Sequence, residues 1–308
     1  MPAAVTPDAT PDATPDATAE AMSRRHPPAA GEVTRFAPSP TGLLHLGHAF
    51  SALDAARAAG AGGRFLLRIE DIDTARCKPA FEQAIFDDLA LLGLSWETPV
   101  MRQAGRMDAY AAALDRLAAL EVVYPCFCSR KDIRAEAERL GGAPHGPLGT
   151  PYPGTCRDLP AAERQARIDA GTPHALRLDH ARAHERVGRP EWTDRRHGTF
   201  QADLSEIGDV MLARKEVATS YHLAVVVDDA AQGITLVTRG EDLLPATPIH
   251  RVLQALLELP VPDWRHHALI ADDDGRRLAK RDDAVALRAY REQGHSPAAV
   301  RALAGVPD

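Results

Sequence analysis

Apolar residues start to recur with a regular period only from about residue 31. Gly31 to Phe36 reads as a short strand, prolines and Gly42 force a turn, and a helix-periodic stretch begins near Leu46. Arg64 to Ile69 (RFLLRI) is a compact apolar strand. A helix over Phe81–Leu92 carries Phe81, Ile85, Leu89 and Leu92 on one face, and Met107–Leu120 repeats the pattern through Tyr110, Leu114, Leu117 and Leu120. Strands alternating with helices imply an α/β domain built on a doubly wound parallel sheet. At Tyr124 the alternation breaks. Pro, Gly, Cys, Arg and His follow in irregular order to about Phe200, with one good helix over residues 130–140, so 124–199 reads as an inserted subdomain. Tyr221–Asp228 (YHLAVVVD) reads as the sheet pattern resuming, and Ile234–Arg239 as a clear strand. Thr247–Leu259 is helical, helped by Pro248 near its start. An apolar piece at 268–271 and a turn at Asp274–Gly275 lead into Arg276–Arg281 (RRLAKR), and the 27 residues after it suffice for two short helices. The expected organisation is a tail over 1–30, a first half of the α/β domain over 31–123, the insertion over 124–199, a second half over 200–259, and a short helical segment over 260–308.

The tail differs in kind. Thr6–Thr18 holds three tandem copies of one tetrapeptide (PDAT) with almost nothing to bury, so it cannot offset its ordering entropy and should be disordered. The rest of the 308-residue chain, with 45% hydrophobic residues overall and charges of both signs, has an ordinary globular composition. No apolar run reaches membrane-spanning length, and the N-terminus lacks the basic start and apolar stretch of a signal peptide. The expectation is a cytoplasmic protein with no membrane partner.

The net charge is −7, and Asp8, Asp12, Asp16 and Glu20 carry four of those charges. Bulk charge therefore does not signal a nucleic acid. A polyanion would need a local basic face, for which Arg130–Lys131, Arg195–Arg196 and Arg276–Arg277 with Lys280–Arg281 are candidates.

Three of the four cysteines group as Cys126-Phe-Cys128 and Cys156, while Cys77 stands apart near a helix start. Without an export signal, metal ligation is the better reading than disulfides. Three thiolates need a fourth ligand to close a tetrahedral structural zinc site, and His145 is the conventional choice by chemistry.

Residues 35–48 (RFAPSPTGLLHLGH) carry the most chemical information. A strand, a tight Gly/Pro turn and a helix with His45 and His48 in its first turn form an anion-binding device. Unpaired backbone N–H groups and the helix dipole favour a phosphate there, and two histidines three apart add donors on one face.

This segment resembles the "HIGH" signature of class I aminoacyl-tRNA synthetases, and its flanks narrow the likeness to the glutamyl/glutaminyl branch. Four further blocks match that branch in order: Leu67–Asp71 (LRIED), Tyr221–Asp229 (YHLAVVVDD), Ile234–Asp242 (ITLVTRGED) and Arg277–Arg281 (RLAKR). Arginine suits a carboxylate through bidentate charge-assisted bonds. The resemblance implies that Arg35 grips the side chain of L-glutamate and Glu70 its ammonium. Tyr221 and Arg239 complete that pocket, with Ala37 and Ser39 lining it. It also implies that His45, Gly47 and His48 hold the phosphates of ATP, and that Lys280 neutralises departing pyrophosphate with Mg²⁺. The last block resembles the "KMSKS" loop, though Ala279 replaces the usual serine and Arg277 the usual lysine.

The pattern Cys126-x-Cys128 … Tyr152-x-x-x-Cys156 resembles the insertion of one truncated subfamily of this branch, and there Tyr152 is the matching fourth zinc position. That subfamily also lacks the long anticodon-binding region of full-length glutamyl-tRNA synthetases, and this chain ends soon after its lysine loop. The likeness implies a monomer that activates glutamate and transfers it to queuosine at the wobble position of tRNA(Asp), engaging the anticodon arm. The alternatives are a synthetase that charges the tRNA 3′ end, or a catalytically inactive, zinc-stabilised glutamate- or RNA-binding module.

Overall fold

A computed structural model describes residues 31–139, 152–215, 217–269 and 285–306. The PDAT tail, His145, Arg277, Ala279 and Lys280 lie outside the described residues.

Along the chain the elements are β1 (Val33–Phe36), α1 (Leu46–Ala59), β2 (Arg64–Ile69), α2 (Pro79–Leu91), β3 (Glu97–Arg102), α3 (Met107–Ala119), β4 (Val123–Cys126) and α4 (Arg130–Arg139). Then come α5 (Ala161–Asp169), β5 (Ala175–Leu178), α6 (His180–Val187), β6 (Glu191–Asp194), β7 (Gly198–Gln201), β8 (Met211–Ala213) and α7 (Tyr221–Ala231). The chain closes with β9 (Leu236–Gly240), α8 (Thr247–Leu256), β10 (Asp263–His267), α9 (Leu287–Glu292) and α10 (Pro297–Leu303).

β1, β2 and β3 form one parallel sheet, and β9, β10 and β6 a second, with β7 antiparallel on its edge. The Thr235 amide donates to the Val33 carbonyl (3.0 Å) and the Val33 amide to the Thr235 hydroxyl (2.9 Å), so β1 and β9 lie edge to edge. The strand direction of travel through the sheet reverses at this junction. In such a fold, ligands bind at the carboxyl ends of the strands beside the reversal. Arg35, Glu70, Arg239 and His267 all stand at those ends.

The helix that follows β1 can lie against the sheet because its inner face is alanine. Ala49, Ala52, Ala55 and Ala59 are buried, and the Thr34 hydroxyl bonds the Ala55 carbonyl at 2.8 Å. Small side chains permit that close approach, and Gly60 ends the helix at φ 70°. The amino end of α1 is thereby fixed over the end of β1. The last elements join the same core: Leu287, Val300, Ala304 and Val306 are buried with α1 and α2. The Leu287 amide donates to the Leu44 carbonyl at 2.8 Å, and Ala286 forms an antiparallel bridge with His45.

β4, β5 and β8 make a separate antiparallel sheet. Within 124–199 the pairing therefore divides: β4 and β5 join this small sheet, whereas β6 and β7 extend the large one.

Two features depart from the sequence reading. Tyr221–Asp228 is not part of a strand but the body of α7. A continuous apolar run does not distinguish a buried helix from a buried strand, and Ser220 decides it as an N-cap for the Leu223 amide. Asp263–His267 is a full strand, hidden by its polar composition (DWRHH). Its polar side chains are held by partners, the half-buried Arg265 on Asp54 and the fully buried His266 on Asp194.

Candidate active site

A cavity of about 440 Å³ opens at the β1/β9 junction. Arg35, Ala37, His45, Gly47, His48, Glu70, Tyr221 and Arg239 all line it, so eight residues chosen from the sequence meet in one place. Ser39 is exposed and lines an adjoining cavity of about 420 Å³, which shares Phe36, Ala37, His48, Glu70 and Tyr221 with the first.

At the mouth of α1, His45 is the N-cap. Its Nδ1 accepts from the Gly47 amide (3.1 Å), while the His48 Nδ1 accepts from the His45 amide (3.2 Å). The rings lie 3.9 Å apart between centroids. An imidazole whose Nδ1 accepts must, when neutral, carry its proton on Nε2. Both rings are thus set as Nε2–H donors over a helix amino terminus, an arrangement suited to phosphate oxygens. His267, which the sequence reading did not single out, also faces the cavity and contacts the Ser51 hydroxyl through Nε2 (3.1 Å).

Deeper in, the charges are arranged around Asp229. Arg35 donates to it twice, through Nε (3.0 Å) and Nη2 (3.2 Å), and to the Thr238 carbonyl through Nη1 (3.3 Å). The fully buried Arg68 donates to Asp229 (2.7 Å), Gln232 (2.9 Å) and Glu70 (3.2 Å). Burial alone would raise the Asp229 pKa, but Arg35 and Arg68 more than reverse this and hold it below the ordinary value. Glu70 goes the other way: burial outweighs Arg68 and Arg35 and raises it.

Because α7 is a helix, the adjacent Asp228 and Asp229 point about 100° apart. Asp229 serves the cavity, while Asp228 accepts from Gln103 (2.9 Å), Arg106 (2.5 Å) and Tyr110 (2.8 Å) on the α3 side. Asp229 and Arg68 were missed as site residues although both stand inside matched blocks. The signal was their charge in otherwise apolar segments.

Arg239 is buried, and its bonds go to neutral groups: His266 Nε2 (2.9 Å), the Tyr221 hydroxyl (3.3 Å), His250 Nδ1 (3.1 Å), the Leu243 carbonyl (3.2 Å) and the Thr247 hydroxyl (2.8 Å). Among the described residues no carboxylate lies within ion-pair distance of it. Tyr221 accepts from Arg239, which leaves its own O–H to donate.

In the insertion, the sulfurs of Cys126, Cys128 and Cys156 lie within 4.8 Å of one another, with Cys128 and Cys156 at 3.4 Å. The Tyr152 oxygen is 3.6 Å from the Cys128 sulfur and accepts from the Cys156 amide at 2.8 Å. The Arg177 guanidinium lies 3.8 Å from the Tyr152 ring centre. Burial pushes the Cys128 thiol up to about 12, so its thiolate is costly without a cation. Of the basic clusters, Arg195 is committed to Glu32 (2.7 Å) and Asp263 (2.9 Å).

The order of the parallel strands thus turns back beside the histidine-capped α1, with Arg35 and Arg239 near the ends of the strands on either side. Residues 32–305 match the family model for the catalytic domain of class I tRNA synthetases (E and Q), and the chain belongs to that family. It is thus a ligase of the aminoacyl-tRNA synthetase type. Within the family it is similar to the glutamyl-Q tRNA(Asp) synthetase of Rhodobacter capsulatus, with 54% identity over 89% of this chain and 100% of that one. It is likewise similar to the glutamyl-Q tRNA(Asp) synthetase of Nocardia farcinica, at 46% identity over 90% and 84%. Among solved structures, a glutamate tRNA ligase from Elizabethkingia meningosepticum in complex with its amino acid superposes with a TM-score of 0.72 at 28% identity. That match covers 87% of this chain but only 59% of the ligase. No described helix is long and apolar enough to cross a membrane.

Proposed function

We propose that the protein activates L-glutamate with ATP and transfers the glutamyl group to queuosine at the wobble position of tRNA(Asp). The observation that carries the amino-acid half is the pair of buried guanidinium groups, Arg35 and Arg239, in one cavity with the Glu70 carboxylate. Glutamate offers two carboxylates and an ammonium, and this is the complementary set. Arg35 and Arg239 receive carboxylate, Glu70 the ammonium, and the Tyr221 hydroxyl donates to substrate, with Ala37 and Ser39 shaping the walls.

Activation is attack of an α-carboxylate oxygen on the α-phosphorus of ATP, with pyrophosphate leaving. Such a step needs positioning and charge stabilisation more than covalent help. The Nε2–H groups of His45 and His48, at the amino terminus of α1 beside Gly47, supply donors for the phosphates. Lys280 would balance the departing charge, together with the Mg²⁺ that ATP would bring. In the second step a hydroxyl oxygen attacks the adenylate carbonyl, AMP leaves, and the hydroxyl proton passes to solvent or to the AMP phosphate. The adjoining 420 Å³ cavity gives an acceptor a route to that carbonyl.

Zinc fits the sulfur cluster. Zn–S bonds of about 2.3 Å in a tetrahedron separate sulfurs by about 3.8 Å, and a Zn–O bond near 2.0 Å puts oxygen about 3.5 Å from sulfur. The separations of 3.4 Å and 3.6 Å are close to these values. Cys126, Cys128, Cys156 and Tyr152 would hold the ion, which supplies structural cross-linking of the inserted region and no chemistry in the cavity. The protein acts in the cytoplasm as a monomer, and the tRNA(Asp) anticodon arm is its macromolecular substrate.

The solved glutamate tRNA ligase keeps a second reading in view, charging of the tRNA 3′ end. Transfer of radiolabelled glutamate to tRNA(Asp) with and without queuosine, followed by mapping of the labelled nucleotide, separates the two. Label on the wobble nucleotide that disappears without queuosine is the expected result. Label on the terminal adenosine would overturn it.

A further inference from the structure

Arg35 and Arg239 line the same cavity but are held in opposite ways. Arg35 is clamped on a carboxylate, so its charge is largely answered inside the protein. Arg239 directs its bonds only to uncharged acceptors. A guanidinium has donors and no acceptor, so each neighbour that bonds it must present a lone pair, and this dictates the protonation of the surrounding histidines.

His266 meets Arg239 with Nε2, so its proton is on Nδ1, where it is donated to Asp194 Oδ2 at 2.6 Å. His250 meets Arg239 with Nδ1, so its proton is on Nε2 and goes to His222 Nδ1 at 3.2 Å. His222 in turn carries its proton on Nε2. Asp194 is held as an anion by three backbone amides as well, those of His266 (3.0 Å), Arg196 (2.8 Å) and His197 (3.0 Å). Burial, with Arg239 alongside, lowers the pKa of His222 and His266 to about 4, so the rings stay neutral around neutral pH.

From this geometry we infer that His266 and Asp194 are positioning residues for Arg239, holding a counter-charge one imidazole away so that the guanidinium stays oriented and unneutralised for a substrate carboxylate. The inference rests on the reading of the cavity as the glutamate site. The five bonds of Arg239 engage all of its N–H groups, so a substrate carboxylate has to displace the longest of them, those to Tyr221 (3.3 Å) and the Leu243 carbonyl (3.2 Å) on the cavity side; a protein carboxylate in their place would be far harder to displace. With no anion nearby, a buried cation would carry a large desolvation cost. An imidazole spacer avoids both. It also favours a carboxylate over a carboxamide, whose NH₂ would meet a group that only donates.

The test uses the full chain, with glutamate binding measured by calorimetry and ATP KM by pyrophosphate exchange. His266→Leu removes the acceptor for Arg239 Nε, whereas His266→Gln keeps one. The expected result is a glutamate Kd raised about tenfold or more in His266→Leu and mostly restored in His266→Gln, with ATP KM unchanged in both. Equal effects of Leu and Gln, or ATP KM moving in step with glutamate Kd, would overturn the inference. Imidazole ¹⁵N spectra of the unaltered protein give a reading that needs no folded variant. Nδ1–H on His266 and Nε2–H on His250 and His222 are expected, and Nε2–H on His266 would refute it. If the unaltered protein binds no glutamate, the functional reading fails first, a distinct outcome.

Discussion

Replacing Asp229 with asparagine should damage this protein more than its single missing charge suggests. The carboxylate accepts three bonds from two buried cations, two from Arg35 and one from Arg68. Asparagine keeps one oxygen, but its NH₂ faces guanidinium N–H groups that also donate. Of the described carboxylates Arg68 would retain only Glu70 at 3.2 Å and a distant Asp228 at 4.0 Å, beside the neutral Gln232 at 2.9 Å, while Arg35 would retain none. Removing one partner from a buried ionic cluster costs about 3–5 kcal/mol. At about 2–4 °C per kcal/mol for a domain near this size, the melting temperature should fall by roughly 6–20 °C. The pH dependence carries the same signature. The folded pKa of Asp229 lies below its unfolded value, so its contribution is fully present above about pH 4 and is lost as pH falls through the folded pKa. The variant should lack that part of the acid transition. Urea unfolding followed by tryptophan fluorescence is a suitable assay, because Trp192 and Trp264 are buried in the same core as α7. A loss below about 1 kcal/mol at pH 7, or parallel acid profiles for the two proteins, would refute the placement of Asp229 as the counter-ion of this cavity.

Three other outcomes are expected. Lys280→Ala should abolish ATP–pyrophosphate exchange while calorimetric glutamate affinity stays nearly unchanged; equal loss of both would make that segment structural. Cys128→Ser should release about one equivalent of zinc, read by a chromogenic chelator, and destabilise the insertion; an unaltered protein that is metal-free yet fully stable would exclude the metal. Burial pushes the Asp88 pKa up to about 6, with Arg291, its Nη1 at 3.5 Å, and Arg288 in partial compensation. The native state therefore holds this proton more tightly than the unfolded chain, and stability drains away as pH rises from about 4 to 6. Asp88→Asn should remove that slope, a change on the order of 3 kcal/mol in the difference between the two denaturation curves; superimposable pH profiles would count against it.

Much of the cavity could be read from the chain because its residues sit in short local blocks whose backbone geometry is set by neighbours. His45 and His48 occupy the first turn after a Gly/Pro turn, and Arg35 and Arg239 end compact apolar strands. What escaped depends on residues far apart. Asp194 and His266 are 72 positions apart and meet only because β6 and β10 pair, while His266 lies in a strand too polar to stand out. Asp229 was visible as a residue but not as a partner, since reading its segment as part of the sheet hides the rotation that separates it from Asp228. The sulfur cluster was legible because its three cysteines lie close in sequence, whereas the place of Tyr152 beside them came from likeness to a subfamily.

The bond between Leu44 and Leu287 has a consequence for how the protein is made. The amino end of α1 is finished by a stretch of chain synthesised some 240 residues later. At ribosomal speeds of about 5–20 residues per second, the nascent histidine pair waits roughly 12–50 seconds for that closing strand. β1 likewise waits about 200 residues for the Thr235 edge that completes its flank. Topology of this kind makes the cavity beside α1 one of the last things to form, so the growing polypeptide emerges with that cleft unfinished and completes it only near the end of translation.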